Sequence, residues 1–130
     1  MKWKDEYATG VQSIDEQHMM IFKMADDFRF ALDEGGGERV YDTLLDFLDG
    51  YCKGHFHFEE KCMEEHRCPV AQNNKAAHSM FLDTLRDYRQ RYAARGYLAT
   101  DARELVNTVD RWLDKHICRI DVHLRKCVKK

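Results

Sequence analysis

The chain has 130 residues, of which 34% are charged and 44% hydrophobic, with a formal net charge of −2. That apolar content is too high for a disordered chain and enough for one domain, 1–130, with a sizeable core. The charge balance offers no footprint for nucleic acid, no apolar run is long enough to cross a membrane, and the opening MKWKDEYATG lacks a secretory apolar stretch, so a soluble cytoplasmic protein is expected.

Residues 1–12 read as an extended arm in which Trp3 and Tyr7 cover one end of the core. Ser13 with Glu16 matches a capping box, a hydroxyl taking a free helical N–H while the carboxylate reaches back, and this predicts a first helix from about Ile14. Ile14, His18, Ile21, Phe22, Ala25, Phe28 and Leu32 recur at steps of three and four and form its inward stripe. Gly35, Gly36 and Gly37 end it. A second helix is predicted over 38–65, with Leu44, Leu48, Tyr51 and Met63 facing inward. His55 and Glu59 are four residues apart on that same face, whereas His57 is about 200° round from His55 and points away.

The stretch HRCPVA, 66–71, carries the only proline and makes the next turn. A third helix is predicted over 72–93, with Asn74, His78, Phe81, Leu82, Leu85, Tyr88 and Tyr92 inward. Asp101 with Glu104 is a weaker capping pair for a fourth helix. It carries Leu105, Val109, Trp112, Leu113, His116, Ile117 and Ile120 before a basic tail that suits the negative end of a helix dipole. Four helices about 30–40 Å long with short connections predict an all-α, up-down-up-down antiparallel four-helix bundle with an extended N-terminal arm. The five cysteines, Cys52, Cys62, Cys68, Cys118 and Cys127, form no CxxC pair and no zinc-finger spacing. Free thiols packed as small hydrophobes are expected.

Each predicted helix places polar groups on its apolar face: His18; His55 and Glu59; Asn74 and His78; His116, followed by Asp121. Burying so many polar groups without a shared partner costs several kcal/mol apiece, and a metal centre supplies that partner. Mixed imidazole and carboxylate donors suit iron, manganese or zinc, and two carboxylates among four histidines suit two bridged ions. The Glu-x-x-His repeat of ferritin-like bundles is absent. His116 and Asp121 are five residues apart, about 140° round an ideal helix, so both face one metal pair only across a distortion such as a π-type turn.

The chain resembles the hemerythrin family, specifically its bacterial single-domain members. The resemblance rests on Trp3, Gly10-Val11 and Ile14-Asp15-Glu16-Gln17-His18, then Tyr51, His55-Phe56, Glu59-Glu60 and Met63. It continues at Pro69, His78 and Phe81 and closes with Trp112-Leu113, His116-Ile117 and Asp121. It implies two iron ions, oxo- or hydroxo-bridged. His18 and His55 would hold the O2-binding iron, His78 and His116 the other, and Glu59 and Asp121 would bridge. Trp112, Leu113 and Ile117 would wall a dry pocket over the O2 position. The departure is Asn74, where the family pattern predicts histidine. A carboxamide is a weaker, harder donor than imidazole. The second iron is then left with a weak ligand or a water-filled position, or one position stays empty, or another residue substitutes, with His66 and Cys62 as the nearest candidates and His123 more remote.

The function this implies is binding of O2 or another small diatomic for storage, delivery or sensing, rather than catalysis. The alternative is a redox enzyme at the same site, reducing peroxide or nitric oxide or oxidising ferrous iron, favoured by an open position at Asn74. A third reading is a single-metal structural or regulatory bundle. Any redox or signalling partner is not identified by the sequence.

Overall fold

The computed structural model describes residues 3–117 and residue 127. Among them are four α-helices and no strand: α1 (Gln12–Asp33), α2 (Gly37–Glu65), α3 (Ala71–Arg95) and α4 (Ala99–Trp112). A π-helical turn, Leu113–Ile117, continues α4. α1 packs on α2 and α4, and α3 packs on the same two helices, closing the antiparallel bundle. The arm is not extended throughout, because Asp5–Tyr7 forms a 3-10 turn. It sets Trp3 and Tyr7 edge-on and stacked, respectively, against Phe22, at 5.7 and 5.8 Å between ring centres.

Helix ends differ from the sequence reading in instructive ways. The Ser13–Glu16 capping box does not form; α1 begins at Gln12, and Asp15 instead accepts hydrogen bonds from the Thr9 N–H at 2.7 Å and the Thr9 hydroxyl at 2.8 Å. Thr9 lies upstream of the helix and is fully buried, so it offers Asp15 a drier partner than the exposed Ser13. At the fourth helix Asp101 caps nothing. It is buried in the first turn and takes a bidentate ion pair from Arg95 at 2.7 and 2.8 Å, stapling α3 to α4.

Two helices end in Schellman turns. After α1, Gly35 takes φ +82° while the Gly35 and Gly36 N–H groups return to Leu32 O and Ala31 O. After α2, Arg67 takes φ +53°, and the Arg67 and Cys68 N–H groups return to Glu64 O and Met63 O. The second turn folds Cys68 back beside Met63 and Ile14, where it is joined to Cys127 across a Cα separation of 5.6 Å. The expectation of free thiols is therefore wrong for this pair. The bridge spans 59 residues, and the turn after α2 is what places Cys68 for it. Cys52 and Cys62 are free thiols; burial pushes the Cys52 thiol up to about 12, so it packs as an inert hydrophobe. Cys118 lies outside the described residues.

The end of the bundle remote from the histidines is an aromatic box. Tyr41 meets Tyr92 and Tyr97 edge-on at 5.2 and 5.4 Å, with Phe28 at 6.1 Å. Gly37 lets the chain approach this box: a Cβ there would lie 2.5 Å from both Leu32 Cδ2 and Tyr97 Oη. Both atoms are ends of flexible side chains, so Gly37→Ala is expected to destabilise the fold mildly, by about 1 kcal/mol or less, as they shift to make room. Urea unfolding should show a lower midpoint with an unchanged slope, and an equal or higher midpoint would refute the close contact.

Candidate metal centre

The polar groups on the four apolar faces converge. His18 from α1, His55 and Glu59 from α2, Asn74 and His78 from α3, and His116 from the π-helical turn are all buried. Glu59 is at the middle, fully buried. Its Oε2 lies 3.0 Å from His18 Nε2 and 3.5 Å from His55 Nε2. Its Oε1 lies 3.2 Å from His78 Nε2 and 3.9 Å from His116 Nε2. One carboxylate thus divides four imidazoles into two pairs. His18, His55 and Glu59 form one group whose donor atoms all lie within 4.8 Å of one another, and Glu59, His78 and His116 form a second.

The rings are held from behind. His55 Nδ1 is 2.6 Å from Gln17 Oε1, and His78 Nδ1 is 2.9 Å from Glu60 Oε2. With Nδ1–H donating outward, each Nε2 lone pair faces inward, the arrangement that outer partners impose on metal-binding histidines. Both Nε2 atoms are buried without a hydrogen-bond partner, as is Asn74 Oδ1. Phe56 stacks face to face on His78 at 3.9 Å and Trp112 stacks on His116 at 4.7 Å, and Phe81 stacks in turn on Trp112 at 4.4 Å. Leu113 and Ile117 are fully buried beside them.

Electrostatics agree with a cation-binding role. Burial works to raise the Glu59 carboxyl, but the imidazoles of His116, His18 and His78 outweigh it and hold the carboxyl well below its ordinary range. Desolvation lowers His55 to about 3 against the pull of Glu59, with His18, His78 and His116 adding to the depression. At neutral pH His55 is therefore neutral and its lone pair available. Orphaned imidazole nitrogens around a buried anion fit a transition-metal ion.

The same shifts give a testable pH dependence for the metal-free protein. Between pH 6.5, the ordinary value for histidine, and about 3, the unfolded chain binds a proton at position 55 that the folded chain refuses. Stability therefore falls as pH drops through that window. Glu59, depressed when folded, contributes stability that is present above the ordinary carboxyl value and is lost as pH falls further, in the same direction. A loss of a few kcal/mol between pH 7 and pH 4 is expected in denaturant titrations of the metal-free protein. A flat profile would contradict the burial of these groups.

The sequence-derived ligands His18, His55, Glu59, His78 and His116 come together. Asp121 lies outside the described residues, as does His123. The π-helical turn spans Leu113–Ile117 and includes His116, while the interval 118–121, where a distortion toward Asp121 is expected, lies outside the described residues. Asn74 reaches the centre, its Nδ2 donating to Glu59 Oε1 at 2.9 Å and contacting Met63 Sδ at 3.1 Å. Neither substitute for the missing histidine arrives: His66 is exposed at the end of α2 with Nδ1 2.9 Å from Cys62 O, and Cys62 packs against the Met63–Cys68 cluster. His57 is exposed, as expected. Trp112 stands on the His116 side of the centre. Periodicity does not single out Gln17 and Glu60, which sit on the flanks of the inward stripes; the signals for them are adjacency to a ligand and their place in the motifs that carry the resemblance.

Residues 9–126 match a family model described as hemerythrin HHE cation binding domain. The chain is 33% identical over 115 residues to a bacteriohemerythrin of Pseudomonas aeruginosa, covering 88% of this chain and 72% of the relative. A bacteriohemerythrin of Stenotrophomonas maltophilia is 30% identical over the same shares. One of Clostridium acetobutylicum is 25% identical over 125 residues, 92% of this chain and 94% of the relative.

Proposed function

The chain belongs to the hemerythrin family, and from that premise we propose that its buried centre holds two iron ions and binds O2 reversibly, for storage, delivery or sensing. The observation that carries this reading is Glu59, fully buried, with Oε2 toward His18 and His55 and Oε1 toward His78 and His116. A carboxylate so placed has one oxygen for each of two cations. In this reading His18 and His55 would hold one iron and His78 and His116 the other, with Glu59, and Asp121 as a further proposed ligand, available to both. Bound iron supplies the electrons for dioxygen binding.

The protein's own contribution is orientation and exclusion of water. Gln17 and Glu60 fix two of the rings, and Phe56, Trp112, Leu113 and Ile117 surround the centre with apolar surface. A dry enclosure keeps protons from the bound diatomic and so favours its release unchanged. No helix among the described residues is long and apolar enough to cross a membrane.

One observation favours turnover as the second reading. Asn74 stands where the family pattern has histidine, and its Oδ1 is buried without a partner. A position beside it that is open to water or substrate suits reduction of peroxide or nitric oxide, or oxidation of ferrous iron. The test is to measure iron per chain and then add O2 anaerobically to the reduced protein. A visible charge-transfer band that disappears under vacuum supports carriage. Rapid irreversible oxidation selects the enzyme. Less than one iron per chain after full reconstitution refutes both and leaves a structural or regulatory bundle.

A further inference from the structure

The two halves of the centre are not held alike, and the difference falls where the chain departs from its family. The His78 half lacks an imidazole, having Asn74 instead. Asn74 turns its amide nitrogen, which is not a metal donor, toward Glu59 Oε1. That half therefore has one imidazole fewer than the family pattern gives it, and matches the other half with two imidazoles and one Glu59 oxygen. Its remaining α3 ligand, His78, has the stronger support. Glu60 Oε2 accepts at 2.9 Å from His78 Nδ1, whereas His55 Nδ1 meets a neutral carboxamide, Gln17 Oε1, at 2.6 Å.

The chemistry of these two partners differs. A carboxylate only accepts, so it fixes the proton on Nδ1 and leaves the Nε2 lone pair toward Glu59. Its negative charge also pushes electron density through the ring and makes Nε2 a better donor to a cation. A carboxamide carries both an acceptor and a donor, so it neither fixes the tautomer by charge nor polarises the ring to the same extent. Glu60 adjoins Glu59 on α2 and reaches across to α3. Its side chain is 23% exposed, on the rim of a cavity of about 390 Å³ shared with His57, Lys61, Glu64 and Lys75. It is thus outside the ring of ligands yet in direct contact with one of them.

We propose that Glu60 is a positioning residue that strengthens His78 as a donor and so retains a metal ion in the half of the centre weakened by Asn74. This rests on the two-ion reading above. It assigns Glu60 and Gln17 separate influence over separate ions.

The experiment titrates the metal-free full-length protein with Co2+, followed by calorimetry and the visible ligand-field bands, for the wild type, Glu60→Gln and Gln17→Glu. Glu60→Gln keeps size and an acceptor oxygen but removes the charge. It is expected to weaken one binding step by about 10–100-fold and leave the other unchanged. Gln17→Glu is expected to tighten the other step. The Nδ1–H proton of His78, observed by NMR in the metal-free protein, should move upfield in Glu60→Gln while the thermal midpoint stays within a few degrees. A purely structural role would not produce that pairing. Equal weakening of both steps, or no change in either, overturns the proposal. If the wild type takes up only one equivalent, the two-ion reading fails by itself. Glu60 then keeps its role if the variant weakens that single ion by the same factor, and loses it if the affinity is unchanged.

Discussion

Glu59→Gln is expected to strip the centre of metal while leaving the bundle folded. Every described imidazole of the centre approaches one of the two Glu59 oxygens, so the substitution removes the charge that both cations would share. An outer partner of a metal ligand is worth about 10–100-fold in affinity, and a shared anionic ligand should exceed that range. On the proposed two-ion reading, iron content after reconstitution should fall from about two per chain to below one. The fold should survive for a separate reason. The carboxamide keeps the shape and an acceptor oxygen, so the bundle still packs, although the stability that the depressed carboxyl contributes to the metal-free protein is lost. Metal analysis and the thermal midpoint of the metal-free protein together decide the matter. Unchanged iron content in the variant would refute the central role given to Glu59.

Asn74→His is the second large effect and has the opposite sign. Asn74 is fully buried four residues before His78, on the same face of α3. An imidazole there reaches further than a carboxamide and offers a nitrogen donor to the His78–His116 half. Iron retention against a chelator should rise by about tenfold or more, the scale of one added ligand interaction near 1.4 kcal/mol. Oxidation of the reduced protein in air should slow, because the added ligand occupies the position otherwise open to water. The side chain must displace the present contacts of Asn74 Nδ2 with Glu59 Oε1 and Met63 Sδ, so a modest loss of metal-free stability is compatible with the gain. If neither retention nor oxidation rate changes, Asn74 is not the weak point of the centre.

Much of this arrangement can be read from residue spacing. Apolar residues at steps of three and four mark all four helices, because one face of each must leave water. The same stripes expose the ligands, since His18, His55, Glu59, His78 and His116 interrupt otherwise apolar faces. A π-helical turn does lie at Leu113–Ile117, but the interval from His116 to Asp121 for which a distortion is expected runs outside the described residues. What escapes is whatever depends on competition or on distant closure. Ser13 and Thr9 both offer a hydroxyl near the start of α1, and burial decides for Thr9. Asp101 has a capping pattern, yet Arg95 claims it across the turn. The turn at Cys68 is legible from Pro69, but its pairing with Cys127, 59 residues away, is a distant closure that no local pattern encodes. Gln17 and Glu60 look like solvated flank residues until the neighbouring helices bring His55 and His78 against them.

The aromatic box around Tyr41 lies at the other end of the bundle from the histidines and contains none of their side chains. Its packing therefore does not wait for a cation. Backbone amides around it should remain slow to exchange with deuterium when iron is withheld, while those near Glu59 exchange faster. A chain built this way would have one end of the bundle packed before any cation arrives, so on the proposed reading folding precedes loading and the ligand end tightens last.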